Sequence, residues 1–315
     1  MLLFGCFPVS VIAIAFWPKS QHELQSSDQV KTRELKTMSM LMLIVFWVVL
    51  ILFSIVKTKI VHYSSLCWLP LSYLAAEGIV RHKEQLPKWS SILIAIIGGL
   101  LGLAVLVLPV SMIWFKADLI NLVKDPFAKA NLSANVQWHY YDLIPASLIL
   151  ISTFLWVVKS DKRFTRFTLG KYLSLQIVFV YLTGILFTPK IEAHTQGALI
   201  DFYSAKQNEN CYWFVTGYKS YAAYFYAKIK PLKPSDGLYQ INQNFLKTKK
   251  VNNYLALNEA DKNKMDDEQK DWLLHGQIDK PVFFIAKSHD QEGLDQEKHL
   301  IKVWEANGFT AYKRP

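Results

Sequence analysis

Six apolar runs in the first 188 residues restrict this chain more than anything else in it. They lie at about 1–17, 39–56, 60–80, 90–115, 140–158 and 170–188. A bilayer core about 30 Å thick needs about 20 apolar residues in a helix. Hydrocarbon offers a peptide group no hydrogen-bond partner, so such runs must be helical. The first run begins at Met1. A signal peptide would carry a basic residue before its apolar stretch and a small-residue cleavage pattern after it. This run has neither and further spans follow, so it is expected to be a span that has lost its beginning.

Charge gives the spans a direction. The net charge of +10 and the pI near 9.3 could suggest a nucleic-acid partner. Residues 189–315, however, hold 18 basic and 16 acidic groups, so the excess lies in the apolar half. There it belongs to loops. Loops 18–38, 81–89 and 159–171 carry 12 lysines and arginines; loops 57–59 and 116–139 carry 5. The positive-inside rule places the first set in the cytoplasm. Residues 57–59, 116–139 and the C-terminal part then lie outside. No nucleic-acid partner is expected.

The C-terminal part, 189–315, alternates patterns. Residues 191–206 are helical in spacing, CYWFVTGY (211–218) reads as a strand, and 237–249 is ambiguous. Residues 266–277 read as a helix and PVFFIAK (281–287) as a strand. LDQEKHLIKVWEANG (294–308) has a helical pattern ending at Gly308, and FTAYKR is a final strand. EADKNKMDDEQK (259–270) reads as a charged connector. Alternating strands and helices favour a small sheet covered by helices. The expected organisation is a polytopic α-helical membrane domain, 1–188, followed by a small extracytoplasmic α/β domain, 189–315. Loop 116–139 reads equally well as a surface amphipathic segment or a plain connection.

Known reaction motifs are absent: no GxSxG, P-loop, HExxH or CxxC occurs. No two histidines have ligand spacing on one helix, so no metal site and no cofactor are identified in this chain. Cys6 and Cys67 fall in spans and Cys211 in the soluble part, so no disulfide framework follows and all three read as buried thiols. Gly98, Gly99 and Gly102 suit close helix packing. Glu77 and Asp142 lie near span ends, where interfacial solvation is the expected environment.

One stretch stands apart. Between two apolar runs lies KTKIVHYSS (57–65), with Lys57 and Lys59 on the side the charge rule disfavours. If a helix starts near Lys59, then Lys59 and Tyr63 share a face, with His62 adjoining. Cations and a hydroxyl at headgroup depth suit an anionic phosphate. Snorkelling lysines and an aromatic-belt tyrosine describe the same residues equally simply.

FSIVKTKIVHYSSL resembles a motif of the membrane glycosyltransferases that use polyprenyl-phosphate sugar donors. That family holds the 4-amino-4-deoxy-L-arabinose lipid A transferases and the dolichyl-phosphate-mannose protein mannosyltransferases. The aminoarabinose transferases carry K-G-K-L-P-T-Y; here Lys57, Lys59 and Tyr63 match its lysines and tyrosine. Thr58 replaces the glycine, and Val61 and His62 replace the Pro-Thr pair. LLFGCFPVSVIAI (2–14), FWVVLILF (46–53) and CYWFVTGYKSYAAYFY (211–226) are similar to the versions in Bacteroidetes-type members. The resemblance implies a partial GT-C fold and a donor lipid-phosphate site at Lys57, Lys59 and Tyr63, with His62 beside them.

In the family a catalytic aspartate in the first outer loop acts as general base on the acceptor hydroxyl. No residue here stands at that position, and Asp118, Asp125 and Asp142 do not match it, so the catalytic residue is unknown. The resemblance therefore implies the C-terminal half of such an enzyme, inactive alone, with a separately encoded N-terminal half as a partner. It leaves room for a divalent metal in the complete enzyme. The implied ligands are a polyprenyl-phosphate-linked sugar, a lipid or protein hydroxyl acceptor and membrane lipid. The implied location is the bacterial inner membrane, with residues 189–315 in the periplasm. The alternative is a non-catalytic membrane scaffold whose outer domain binds an envelope partner.

Overall fold

The computed structural model describes residues 6–16, 29–55, 65–81, 86–159 and 166–315. It divides into two compact units. The first comprises 1–113 and 138–186, the second 114–137 and 187–315.

Helices make up the first unit among the described residues: Val9–Phe16, Gln29–Ile55, Trp68–Arg81, Ile144–Lys159 and most of Lys88–Trp114 and Arg166–His194. Among the described residues, four helices are long and apolar enough to cross a membrane: Glu34–Ile55, Lys88–Trp114, Tyr140–Val158 and Leu169–His194. Their outer faces stay apolar, as at Ile44, Val48, Ile51, Leu52 and Ile55 on one helix. A row of that kind is costly in water and suits lipid.

Among the described residues, four helices of spanning length therefore stand against the six spans expected. Ser65–Val80 is apolar but short of spanning length, reaching about 24 Å at helical rise; residues 60–64 lie outside the described residues. In the first run the described helix is Val9–Phe16, and Ser10, Val11, Ile12, Ala13, Ala15 and Phe16 are buried. Val11, Ile12 and Phe16 pack with Leu71, Leu74, Ala75, Ile94 and Trp156 in one cluster. Hydropathy cannot separate a side chain buried in protein from one bathed in lipid, because both environments are apolar.

Glycines let two helices approach. A Cβ on Gly102 would come within 2.6 Å of Leu150, and one on Gly98 would overlap Thr153. Gly99 faces open space, so two of the three expected glycines serve packing. Beside this contact, the Gln176 amide donates to the Ser152 hydroxyl at 2.8 Å, both residues buried. A polar pair of this kind joins helices where no water is available.

The second unit contains a four-stranded sheet in the order β1-β2-β4-β3, formed by Tyr212–Thr216 (β1), Val282–Lys287 (β2), Ile301–Ala306 (β3) and Phe309–Arg314 (β4). β1 and β2 are parallel; β4 runs antiparallel to both β2 and β3. β2 is apolar on both faces, and both are covered. Phe283 and Ile285 pack with Leu199, Phe202 and Tyr203. Val282, Phe284 and Ala286 pack with Leu273, Leu274 and Leu294. A strand covered on both sides needs a continuous apolar run instead of alternation. Full burial of each large side chain here contributes about 1.5–3 kcal/mol.

Three expectations change in this unit. The charged connector 259–270 is the first part of a single helix, Glu259–His275. Asn258 caps it, its side chain accepting from the Asp261 N–H at 2.8 Å, and Glu259 and Asp261 favour the positive end of the helix dipole. The helical pattern over 294–308 resolves into a short helix, Glu292–Asp295, and strand β3. A bulge between Lys302 and Trp304 leaves Val303 unmatched. The extra residue breaks the period of two and mimics helical spacing. Loop 116–139 forms helices Lys116–Leu122 and Pro126–Ser133 within this unit. The Phe127 ring meets Phe309 edge-on at 5.2 Å, and the Asn131 amide donates to the Asn307 carbonyl at 3.2 Å.

Asn307 and Gly308 form the two-residue turn between β3 and β4, with φ of 50° and 76°. Two positive φ values give the turn whose twist matches a hairpin. A Cβ on Gly308 would stand 2.8 Å from Phe127. Gly308→Val adds left-handed strain of about 1–2 kcal/mol and overpacking of about 1–3 kcal/mol. Thermal unfolding of the second unit, followed in the full chain by tryptophan fluorescence, is expected to drop by about 5–10 °C; an unchanged midpoint would contradict this packing.

Candidate functional site

The expected phosphate-site residues Lys57, Lys59, His62 and Tyr63 lie outside the described residues, which end at Ile55 and resume at Ser65. Their flanks are described. Helix Gln29–Ile55 packs against the turn Ser65–Cys67 and against helix Trp68–Arg81. The Cys67 thiol approaches the Phe46 carbonyl at 3.9 Å, and both residues are buried in the core of the first unit. Phe46 lies nine residues before Ile55, about 13 Å along the helix axis. Nine residues of sequence lie between these two packed elements, and the four predicted residues are among them.

Two acids of the first unit, Glu77 and Asp142, have structural partners. The Ser39 hydroxyl donates to Glu77 Oε1 at 2.5 Å. Asp142 has no solvent exposure, which corrects the expectation of an interfacial, solvated acid. Its Oδ2 accepts the His139 N–H at 2.7 Å, and its own N–H donates to the His139 carbonyl at 2.9 Å. This reciprocal pair starts the helical turn Tyr140–Leu143 and explains why the acid is held inside. In the second unit, Asp125 caps helix Pro126–Ser133, accepting from the Phe127 and Ala128 N–H groups. Both aspartates serve as caps.

Two clefts open on the second unit. One, of about 570 Å³, is lined in part by Cys211, Tyr212, Lys230, Lys233, Asp236 and Lys280. Lys280 bonds to Asp236 at 2.5 Å, and this bond holds the Asp236 carboxyl below the usual carboxylate range. The Tyr212 hydroxyl donates to Asp279 at 2.8 Å; burial first, and then this bond, push the phenol up. The other cleft, of about 650 Å³, presents Tyr221, Tyr224 and Tyr254 together with Asn242, Gln269 and Asp266. The Gln269 amide donates to Asn242 at 2.8 Å, fixing both groups, and burial raises the Asp266 carboxyl. Aromatic faces beside fixed amides suit a ligand with an apolar face and hydroxyl edges.

The sequence matches no protein-family model and no curated protein. The chain is similar to the crystal structure of ArnT from Cupriavidus metallidurans in the apo state. The similarity to ArnT covers 86% of this chain and 45% of ArnT, at 12% identity and a TM-score of 0.43. This chain thus spans less than half the length of ArnT.

One cluster is invisible to local spacing. His275, Glu297 and His299 offer ligand atoms within 4.8 Å of one another. Glu297 and His299 are two residues apart, but His275 comes from a different element, so only the fold brings it close.

Cys211, the free thiol of the second unit, is partly exposed, as is Cys6; Cys67 alone is buried as expected. Desolvation first, then the nearby Glu209 charge, push the Cys211 thiol up to about 11. At pH 8 about one molecule in a thousand is then thiolate, against about one in ten for an ordinary thiol with the reference value of 9. Alkylation of Cys211, localised by mass spectrometry, is expected to be slow at pH 8 and to rise about tenfold per pH unit toward 11. Rapid labelling at pH 8 would contradict that environment.

Proposed function

We propose that this chain is the phosphate-holding part of a membrane glycosyltransferase. Lys57, Lys59 and Tyr63, with His62 beside them, bind the phosphate of a polyprenyl-phosphate sugar donor. The supporting observation is where the motif falls in the sequence: between a membrane-length helix ending at Ile55 and the described turn and helix that begin at Ser65. Ammonium groups and a phenol beside a membrane-length helix have the chemistry that suits a lipid phosphate. They would hold the donor and offset the charge that develops as the sugar–phosphate bond breaks.

The proposed topology follows from the loop charges. Loops 18–38, 81–89 and 159–171 lie in the cytoplasm of a bacterial cell, the 57–65 stretch faces outward, and the sheet unit lies in the periplasm. The acceptor is a lipid or protein hydroxyl on that side. The aromatic and amide cleft around Tyr221, Tyr224, Asn242 and Gln269 is suited to contact it. The proton of the acceptor hydroxyl needs a general base. The aspartate that plays this part in the resembling family has no match in this sequence, so transfer is proposed to require a second polypeptide segment.

The test separates binding from turnover. Purified chain in nanodiscs is expected to retain undecaprenyl phosphate in native mass spectrometry. Lys57→Ala/Lys59→Ala should weaken retention about a hundredfold or more, and Tyr63→Phe by about tenfold, because one hydrogen bond to a charged group contributes about 1.5–3 kcal/mol. Equal retention by the wild type and the double variant would overturn the phosphate assignment. Incubation with a polyprenyl-phosphate sugar and a hydroxyl acceptor should give no transfer; measurable turnover would overturn the requirement for a second segment.

A further inference from the structure

His275 is the last residue of helix Glu259–His275. Glu297 and His299 flank Lys298 in a turn closed by the Leu300 N–H donating to the Glu297 carbonyl at 3.0 Å. His275 Nε2 lies 3.7 Å from Glu297 Oε1, and His299 Nδ1 lies 3.6 Å from Glu297 Oε2. The two imidazole rings stand 5.8 Å apart at 63°. Asp271, one helical turn before His275, brings its Oδ1 to 3.9 Å from the same Nε2.

These separations are too long for hydrogen bonds. They approach the spacing of ligands around an ion. Zinc binds nitrogen and carboxylate oxygen at about 2.0–2.2 Å in a tetrahedron, which sets ligand atoms about 3.3–3.6 Å apart. A small inward movement of side chains would close the set. Their backbones, in contrast, are anchored. Leu273 and Leu274 are buried beneath the helix end, and Arg314 donates to the Leu273 and Gly276 carbonyls, each at 2.7 Å. On the other side, Leu294 is buried and the Tyr312 hydroxyl donates to Asp295 at 2.5 Å. The His275 and His299 side chains remain 50% and 39% exposed, so an ion can reach them from solvent and keep water in its remaining positions.

The geometry points to a divalent transition-metal site of the zinc class, built by His275, Glu297 and His299, with Asp271 the nearest further carboxylate. Two imidazole nitrogens and a carboxylate suit zinc and its neighbours; calcium and magnesium prefer all-oxygen sets. The ion would tie the end of a helix to the turn that leads into β3. It would stabilise the second unit by binding the folded state alone. This site is independent of the proposed phosphate binding.

The test uses the full-length, untagged chain in detergent, stripped with a chelator and titrated with zinc chloride by calorimetry. One ion per chain is expected, with a rise of several degrees in the unfolding midpoint. His275→Ala and His299→Ala should each weaken binding about tenfold or more. His289→Ala, outside the cluster, should leave it unchanged. Cobalt loading should give a visible absorption band that the near-isosteric Glu297→Gln reduces or abolishes. No saturable zinc binding would overturn the site. So would an affinity that stays the same in Glu297→Gln and in the two histidine variants.

Discussion

A peptide group inside hydrocarbon can pair only with its own chain, and the first unit depends on that restriction. It makes helices of the long apolar runs before any tertiary contact is considered. What holds the helices to one another is then a matter of fit and sparse polar bonds, since lipid is as apolar as leucine. Leu150 packs where Gly102 has no side chain, and the Gln176–Ser152 bond supplies a directional contact beside it. Helix Val9–Phe16 and helix Trp68–Arg81 form a buried pair within this unit.

The second unit follows the opposite rule. Its apolar side chains find cover within a sheet core, and β2 is covered on both faces. The helix Glu259–His275 illustrates the balance. Its last turn is anchored by Leu273 and Leu274, whereas its first turns depend on the Asn258 cap and on first-turn acids. That arrangement places His275 at a rigid helix end. The Asn307–Gly308 turn directs β4 back along β3, with Phe127 packed against the glycine.

Legibility varied with how local the cause was. The strands at 212–216 and 282–287 and the last strand were readable, because a short β-branched and aromatic run bounded by turn residues has few other uses. The hairpin was present in the sequence as Asn307-Gly308, a strong local signal, but the bulge at Val303 hid the strand before it. The start of helix Glu259–His275 was likewise written in Asn258 and the acids after it, and charge density obscured it. Of the proposed sites, the phosphate motif is readable as a contiguous stretch. The histidine–glutamate cluster is not, because 22 residues separate His275 from Glu297.

By itself the sequence determined where long apolar helical runs lie, the charge asymmetry of their loops, and the presence of a sheet-forming C-terminal part. Those properties depend on composition and on spacing along the chain, which hydrophobic transfer and backbone geometry translate directly. The tertiary structure decided which apolar segments are buried in protein and that Asp142 is enclosed by its own cap. It also decided that residues 114–137 join the sheet unit and that His275 meets Glu297 and His299. Apart from the Asp142 cap, which spans three residues, each of these depends on contacts between residues distant along the chain, and no local periodicity encodes such contacts.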